Sequence, residues 1–157
     1  MKKSSLFIAI VSFLLSIFLV SMLGGAIKDD QFKIYFSEVE ILSYDIILEG
    51  EGGSKYKFKG VDFDESSGET KFAIDYRIAP EEATNSTAYE FAIVDGNEKF
   101  DIGDGQHTMK DCATIEKNIL TFYHPVSIKV MLRTTDGSAL SDFCTFICTV
   151  PETDSFD

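Results

Sequence analysis

Apolar residues recur at every second position along much of the chain after residue 30, and this spacing constrains the fold more than any other feature. The alternation is clearest in residues 72–78, 126–132 and 144–150. A period of two places one set of side chains on a core face and the other toward solvent, so it predicts β-strands. Shorter strands are predicted at residues 89–94 and 118–123.

Clusters of Gly, Asp, Asn and Ser separate these segments, as is typical of turns. They lie at residues 50–54, 65–68, 95–97 and 136–138. No stretch after residue 30 combines helical periodicity with helix caps. Short strands separated by such turns predict an all-β protein, an antiparallel sandwich of about seven to nine strands.

Two apolar runs change phase partway along. Val39 and Ile41 give way to apolar residues at even positions from 42 to 48, which predicts a bulge or a strand that crosses between sheets. Residues 56–64 change phase around Gly60, and glycine inside a strand is a usual place for a break.

The N-terminal part of the chain is an uncharged apolar run, residues 6–27, preceded by Lys2 and Lys3. A helix of that length covers about 33 Å, and a bilayer core is about 30 Å thick. The positive flank predicts that the N-terminus stays in the cytoplasm and that residues 28–157 are exported.

The alternative is a secreted protein whose signal peptide is cleaved near Ala26, since Gly24-Gly25-Ala26 supplies the small residues of a cleavage site. We favour an uncleaved, single-pass membrane anchor, because the apolar core is longer than the usual signal segment of about 7–15 residues. Either way the sequence predicts an N-terminal hydrophobic helix at residues 1–28 and one exported domain at residues 29–157.

The net charge of −12 is concentrated in the exported part, which holds all 26 Asp and Glu residues. A domain this acidic repels phosphate backbones, which argues against nucleic-acid binding. It also avoids an anionic membrane surface. The acidity then serves solubility outside the cell or the binding of a cation.

One loop has the composition of a calcium site. Its candidate ligands are Asp95, Asn97, Asp101 and Asp104, because Ca²⁺ prefers carboxylate and carbonyl oxygens from sandwich loops. The EF-hand spacing is absent, and plain turns are the alternative. We expect no other cofactor.

The three cysteines allow two interpretations. Cys144 and Cys148 lie four apart on one strand, about 13 Å apart, which is too far for a disulfide. Cys112 can pair with one of them, or all three are buried thiols, and we favour buried thiols. His107 and His124 are the only histidines, and their sequence spacing does not predict a zinc site.

Two segments resemble a known family. The strand 72–78 with the turn Ala79-Pro80-Glu81-Glu82-Ala83-Thr84-Asn85, and the hairpin that turns at Asp136-Gly137-Ser138, are similar to the bacterial immunoglobulin-like domain of group 2. This is the surface repeat of intimin- and invasin-type adhesins. The resemblance covers roughly residues 70–150 and lacks the family's usual Trp near Tyr89.

The resemblance implies an immunoglobulin-like fold and a non-catalytic role in adhesion, ligand binding or structure at a bacterial cell surface. Its ligand is expected to be a protein or a surface carbohydrate. The alternative is an accessory subunit of a membrane-embedded secretion or appendage complex, with the sandwich as a docking module. No nucleophile–base pair or phosphate-binding loop appears in the sequence, so we expect no enzymatic activity.

Overall fold

A computed structural model describes residues 33–152, and the residues from Tyr35 onward form one compact unit. Half of the described residues lie in strands and 6% in helices, which confirms the all-β class. The strands are β1 Glu38–Ile41, β2 Ile46–Glu49, β3 Lys55–Asp62, β4 Thr70–Ala73, β5 Tyr76–Ala79, β6 Tyr89–Ile93, β7 Lys99–Asp101, β8 Gln106–Thr108, β9 Ala113–Glu116, β10 Ile119–Phe122, β11 Ser127–Thr134 and β12 Ser141–Thr149. The helices are a 3₁₀ turn, Glu51–Gly53, and α1, Met109–Cys112.

The predicted N-terminal helix, as anchor or signal, lies outside the described residues. From residue 33 to residue 152 no helix is long and apolar enough to cross a membrane.

Within the described range the strands form four sheets. The largest has the order β2-β3-β12-β11-β6, and a second has the order β4-β10-β9. The pairs β1-β5 and β7-β8 complete the set. Every pairing is antiparallel except that of β3 with β12, which is parallel. The antiparallel prediction is therefore wrong for this one pair.

One apolar core joins the sheets. Strand β11 buries Ile128, Val130 and Leu132 at alternate positions, as the period of two predicts. Leu120 and Phe122 of β10 are also fully buried and belong to the same cluster. Because residues from the five-stranded and three-stranded sheets share this cluster, the fold is consistent with a β-sandwich.

Twelve strands exceed the expected seven to nine, for local reasons. The predicted strand at residues 72–78 is divided into β4 and β5, which pair with different sheets. Between them, the Asp75 N–H donates to the Ser43 hydroxyl at 2.8 Å. The acidic loop also contains the short hairpin β7-β8.

The phase change after Ile41 is explained by a change of sheet. Strand β1 pairs with β5, whereas β2 pairs with β3 in the five-stranded sheet, so the predicted crossing is confirmed. The expected break at Gly60 is wrong, because β3 runs through it without interruption. The phase change there marks a strand with apolar residues on both faces.

A buried ammonium group joins three strands at one point of the core edge. Lys57 of β3 is only 7% exposed, and its Nζ lies 2.7 Å from Asp142 Oδ2 of β12. It also donates to the Ile41 carbonyl of β1 at 2.9 Å. The same Asp142 oxygen accepts the Ile41 N–H at 2.7 Å. These bonds satisfy groups that are costly to bury unpaired.

Candidate docking surface and the sequence-predicted sites

The side of the five-stranded sheet that faces away from the core is largely apolar. The cross-strand pairs Ile46–Phe58, Leu48–Tyr56 and Met131–Phe143 set its composition. We call the following residues the outer face: Ile46, Leu48, Tyr56, Phe58, Met131, Phe143 and Ile147.

Five residues of the outer face are strongly exposed. Ile46, Leu48 and Tyr56 are each more than half exposed, at 56%, 54% and 52%. Phe143 and Ile147 are 38% and 37% exposed. Isolated exposed apolar residues are ordinary, but a contiguous patch of this kind marks an interaction site.

The apolar surface extends around the edge of the sheet. Among the described strands β2 pairs only with β3, so no strand of residues 33–152 pairs with its second edge. Ile47, which points to the opposite side from Ile46 and Leu48, is also 38% exposed. Edge strands are commonly protected by charged residues or proline, and in β2 only the last residue, Glu49, is charged.

Positive charge lies among these apolar side chains. The ammonium of Lys129 sits 5.0 Å from the centroid of the Phe143 ring, in a cation–π arrangement. A cleft of about 90 Å³ opens beside it, lined in part by Lys55, Tyr56, Lys129 and Phe143. Neither Lys55 nor Lys129 forms an ion pair with another residue in the 33–152 range. Lys129 thus places a positive charge beside Phe143 in a chain of net charge −12.

A second concave region lies beside β5 and β6. It is a groove of about 400 Å³ whose lining includes Tyr76, Tyr89, Phe91, Lys117 and Asn118. The Tyr76 and Tyr89 hydroxyls are 2.7 Å apart. This hydrogen bond, with burial, raises the pKa of Tyr76 to about 12. From the sequence alone, these tyrosines are predicted only to lie at the ends of strands.

The four predicted calcium ligands are spread over two turns. Asp95 and Asn97 lie in the turn after β6, in a depression that also contains Lys110. Asp101 accepts the Gly103 N–H at 2.8 Å in the β7-β8 turn, and Asp104 contacts His107. No three His, Cys, Asp or Glu side chains within residues 33–152 are grouped to hold a metal ion. Calcium binding stays a prediction, and no cluster of carboxylates within residues 33–152 supports it.

The three cysteines are free and buried, which confirms the favoured interpretation. Burial raises the pKa of the Cys144 thiol to about 12 and that of Cys148 to about 11. Burial also raises the pKa of Cys112. Raised pKa values keep thiols protonated and unreactive, so these cysteines act as core residues.

The two histidines meet although the sequence separates them. His107 lies on β8 and His124 lies in the connection between β10 and β11, and their ring centroids are 5.3 Å apart. His107 Nε2 lies 2.7 Å from Asp104 Oδ1. No local sequence signal could have found this pair, because it depends on how the β7-β8 hairpin sits against the β10–β11 connection.

Comparisons of the chain with protein-family models, with curated proteins and with solved structures find no match. The function is therefore inferred from the chemistry of the chain's own surface.

Proposed function

We propose that this chain is a non-catalytic, exported binding protein whose immunoglobulin-like domain docks a partner protein on the outer face. Immunoglobulin domains pair strands A, B, E and D in one sheet and C, F and G in the other. The pair β1-β5 and the sheet β4-β10-β9 correspond to the A-B-E-D sheet when β4 and β5 are taken as the two halves of strand B. Strands β6, β11 and β12 have the neighbours of C, F and G.

The resemblance of the turns at residues 79–85 and 136–138 to group 2 bacterial immunoglobulin-like domains supports a bacterial surface setting. In this proposal residues 6–27 act as a single-pass anchor with the N-terminus inside, or are removed near Ala26. Both arrangements export the domain.

The observation that carries the docking proposal is the exposed apolar outer face. An exported domain loses solubility by leaving Ile46, Leu48 and Tyr56 more than half exposed, unless a partner covers them. This favours the role of an accessory subunit over that of a spacer between surface domains, which needs no such patch.

The charge on the outer face indicates the chemistry of its partner. Lys129 lines the cleft beside Phe143, so an Asp or Glu side chain entering it gains opposite charge at a partly desolvated site. The flanking aliphatic residues Ile46, Leu48 and Ile147 then contact apolar residues of the partner. The partner is therefore a protein segment that combines large apolar residues with carboxylates.

Defined peptides test this chemistry on the full chain in nanodiscs, with empty nanodiscs as the blank. One peptide mixes Leu and Phe with Glu, a second replaces Glu by Lys, and a third replaces Leu and Phe by Ser. We expect measurable, salt-sensitive binding of the first alone. Leu48→Asp and Lys129→Glu should each weaken it by at least tenfold.

Two control variants match these changes elsewhere on the domain. Ile119→Asp replaces a residue of β10 that is 37% exposed, and Lys99→Glu reverses a charge on β7. Both should bind the acidic peptide as the parent chain does. Equal binding of all three peptides, or equal losses in the control variants, would rule out the outer face. Self-association that is abolished by Leu48→Asp would instead make a second copy of the chain the partner.

A second candidate function is adhesion to a surface carbohydrate, which the groove beside β5 and β6 favours. Aromatic side chains next to hydroxyl and amide groups, as at Tyr76, Tyr89 and Asn118, suit a sugar ring. Changes in tyrosine fluorescence on titration with oligosaccharides, lost in Phe91→Ala, test it. Unchanged fluorescence across a panel of neutral and acidic sugars would count against adhesion.

A further inference from the structure

The contact between His107 and His124 is the least expected juxtaposition in the described structure. Their rings are tilted by 49° with centroids 5.3 Å apart. Both rings are partly accessible to solvent, so neither serves mainly to fill the core. They are also the only two histidines of the chain.

The separation of the rings matches that of two imidazoles on one metal ion. A zinc ion bonded to one nitrogen of each ring at about 2.1 Å lies about 3.2 Å from each centroid, and a tetrahedral angle then separates the centroids by about 5 Å. The observed centroid separation of 5.3 Å is compatible with this spacing.

Two carboxylates lie beside His107. Asp104 Oδ1 lies 2.7 Å from His107 Nε2. Asp111 forms hydrogen bonds with the Thr108 N–H and hydroxyl, which lower the pKa of this carboxyl, and the nearby His107 lowers it further. Carboxylates beside two imidazoles favour a bound cation electrostatically.

We propose that His107 and His124 bind one divalent transition-metal ion of the Zn²⁺, Ni²⁺ or Cu²⁺ class. Imidazole suits these ions, whereas Ca²⁺ prefers oxygen ligands. Asp104 occupies Nε2 of His107, so it orients the ring while Nδ1 binds the metal, as carboxylates commonly do for metal-bound histidines. In this proposal the chain supplies two ligands, and water completes the coordination.

Isothermal titration with ZnCl₂ tests the site on the full chain in nanodiscs, purified without a polyhistidine tag. We expect one saturable site per chain. His107→Ala and His124→Ala should each weaken binding by more than tenfold, and Asp104→Asn should weaken it by about tenfold, as is typical of a ligand's carboxylate partner.

Two further measurements distinguish binding by the histidines from binding by the thiols. Cys112→Ser should leave zinc affinity unchanged, because the proposal gives no role to the buried thiols. With Cu²⁺, electron paramagnetic resonance should show two coupled imidazole nitrogens in the parent chain and one in each histidine variant. Zinc affinity that survives His124→Ala, or that is lost in Cys112→Ser, would overturn the proposal. If each variant keeps the circular dichroism spectrum of the parent chain, unfolding does not explain the loss of the two-nitrogen copper signal.

Discussion

The buried ammonium of Lys57 provides a sharp test of how the sandwich is held together. Lys57→Met keeps the aliphatic stem but removes the charge that lies 2.7 Å from Asp142 and 2.9 Å from the Ile41 carbonyl. Removing one partner of a buried ion pair costs about 3–5 kcal/mol. Asp142 is 23% exposed and keeps its bond to the Ile41 N–H, so the lower end applies. We expect a loss of about 3 kcal/mol in the free energy of unfolding.

Thermal unfolding of the full chain, followed by circular dichroism, measures this loss. For a domain of this size 3 kcal/mol corresponds to a decrease of about 10 °C in Tm. Lys55→Met is the matched control, because Lys55 lies two residues earlier on β3, is exposed and should change the free energy by less than about 0.5 kcal/mol. A double-mutant cycle with Asp142→Leu should show a coupling energy above about 1 kcal/mol. Equal Tm values for Lys57→Met and Lys55→Met would mean that the buried ammonium contributes nothing to holding β3 in place.

Three further predictions concern the core and its titrating groups. Phe122→Ala, at a fully buried position, should lower the free energy of unfolding in urea by about 3–5 kcal/mol, whereas Tyr123→Ala on the exposed neighbour should cost clearly less. Because burial raises the pKa of Cys144 to about 12, the thiols should resist iodoacetamide at pH 8 until the chain is unfolded; rapid labelling of the folded chain would contradict this. Near-ultraviolet titration should show Tyr76 ionising near pH 12 and nearer pH 10 in Tyr89→Phe. Since the folded-state pKa is raised, this contribution to stability is present below about pH 10 and is lost as the pH rises toward 12.

The sequence predicted the features that depend on neighbours along the chain. The alternation in residues 126–132 predicts the buried face of β11. The phase change after Ile41 predicts the crossing from one sheet to another. Strand β5 ends at Ala79, as Pro80 predicts, because proline cannot donate to a ladder.

Features that depend on contacts between distant segments could not be predicted in this way. Tyr56 and Phe58 have the spacing of a buried face, yet they lie on the outer face, because no second layer formed by residues 33–152 covers that side of the five-stranded sheet. A lysine between two apolar residues suggests a solvated position, and only the approach of β1 and β12 makes Lys57 buried. The contact between His107 and His124 likewise could not be predicted, because it depends on the path of the chain between β7 and β11.

The interior of the sandwich also determines where the proposed docking surface lies. Strand β2, which carries Ile46 and Leu48, pairs with β3 alone among the described strands, so its position depends chiefly on that strand. Strand β3 is fixed by its parallel pairing with β12 and by the bonds of Lys57 to Asp142 and Ile41. Alternate residues of β3 thus face opposite sides. Lys57 points inward and fixes the strand, whereas Tyr56 and Phe58 point outward. A weaker Lys57 contact should therefore loosen β2 and β3, with Ile46, Leu48 and Tyr56, before it unfolds the core, because Leu120 and Phe122 lie in a sheet to which β2 is not paired.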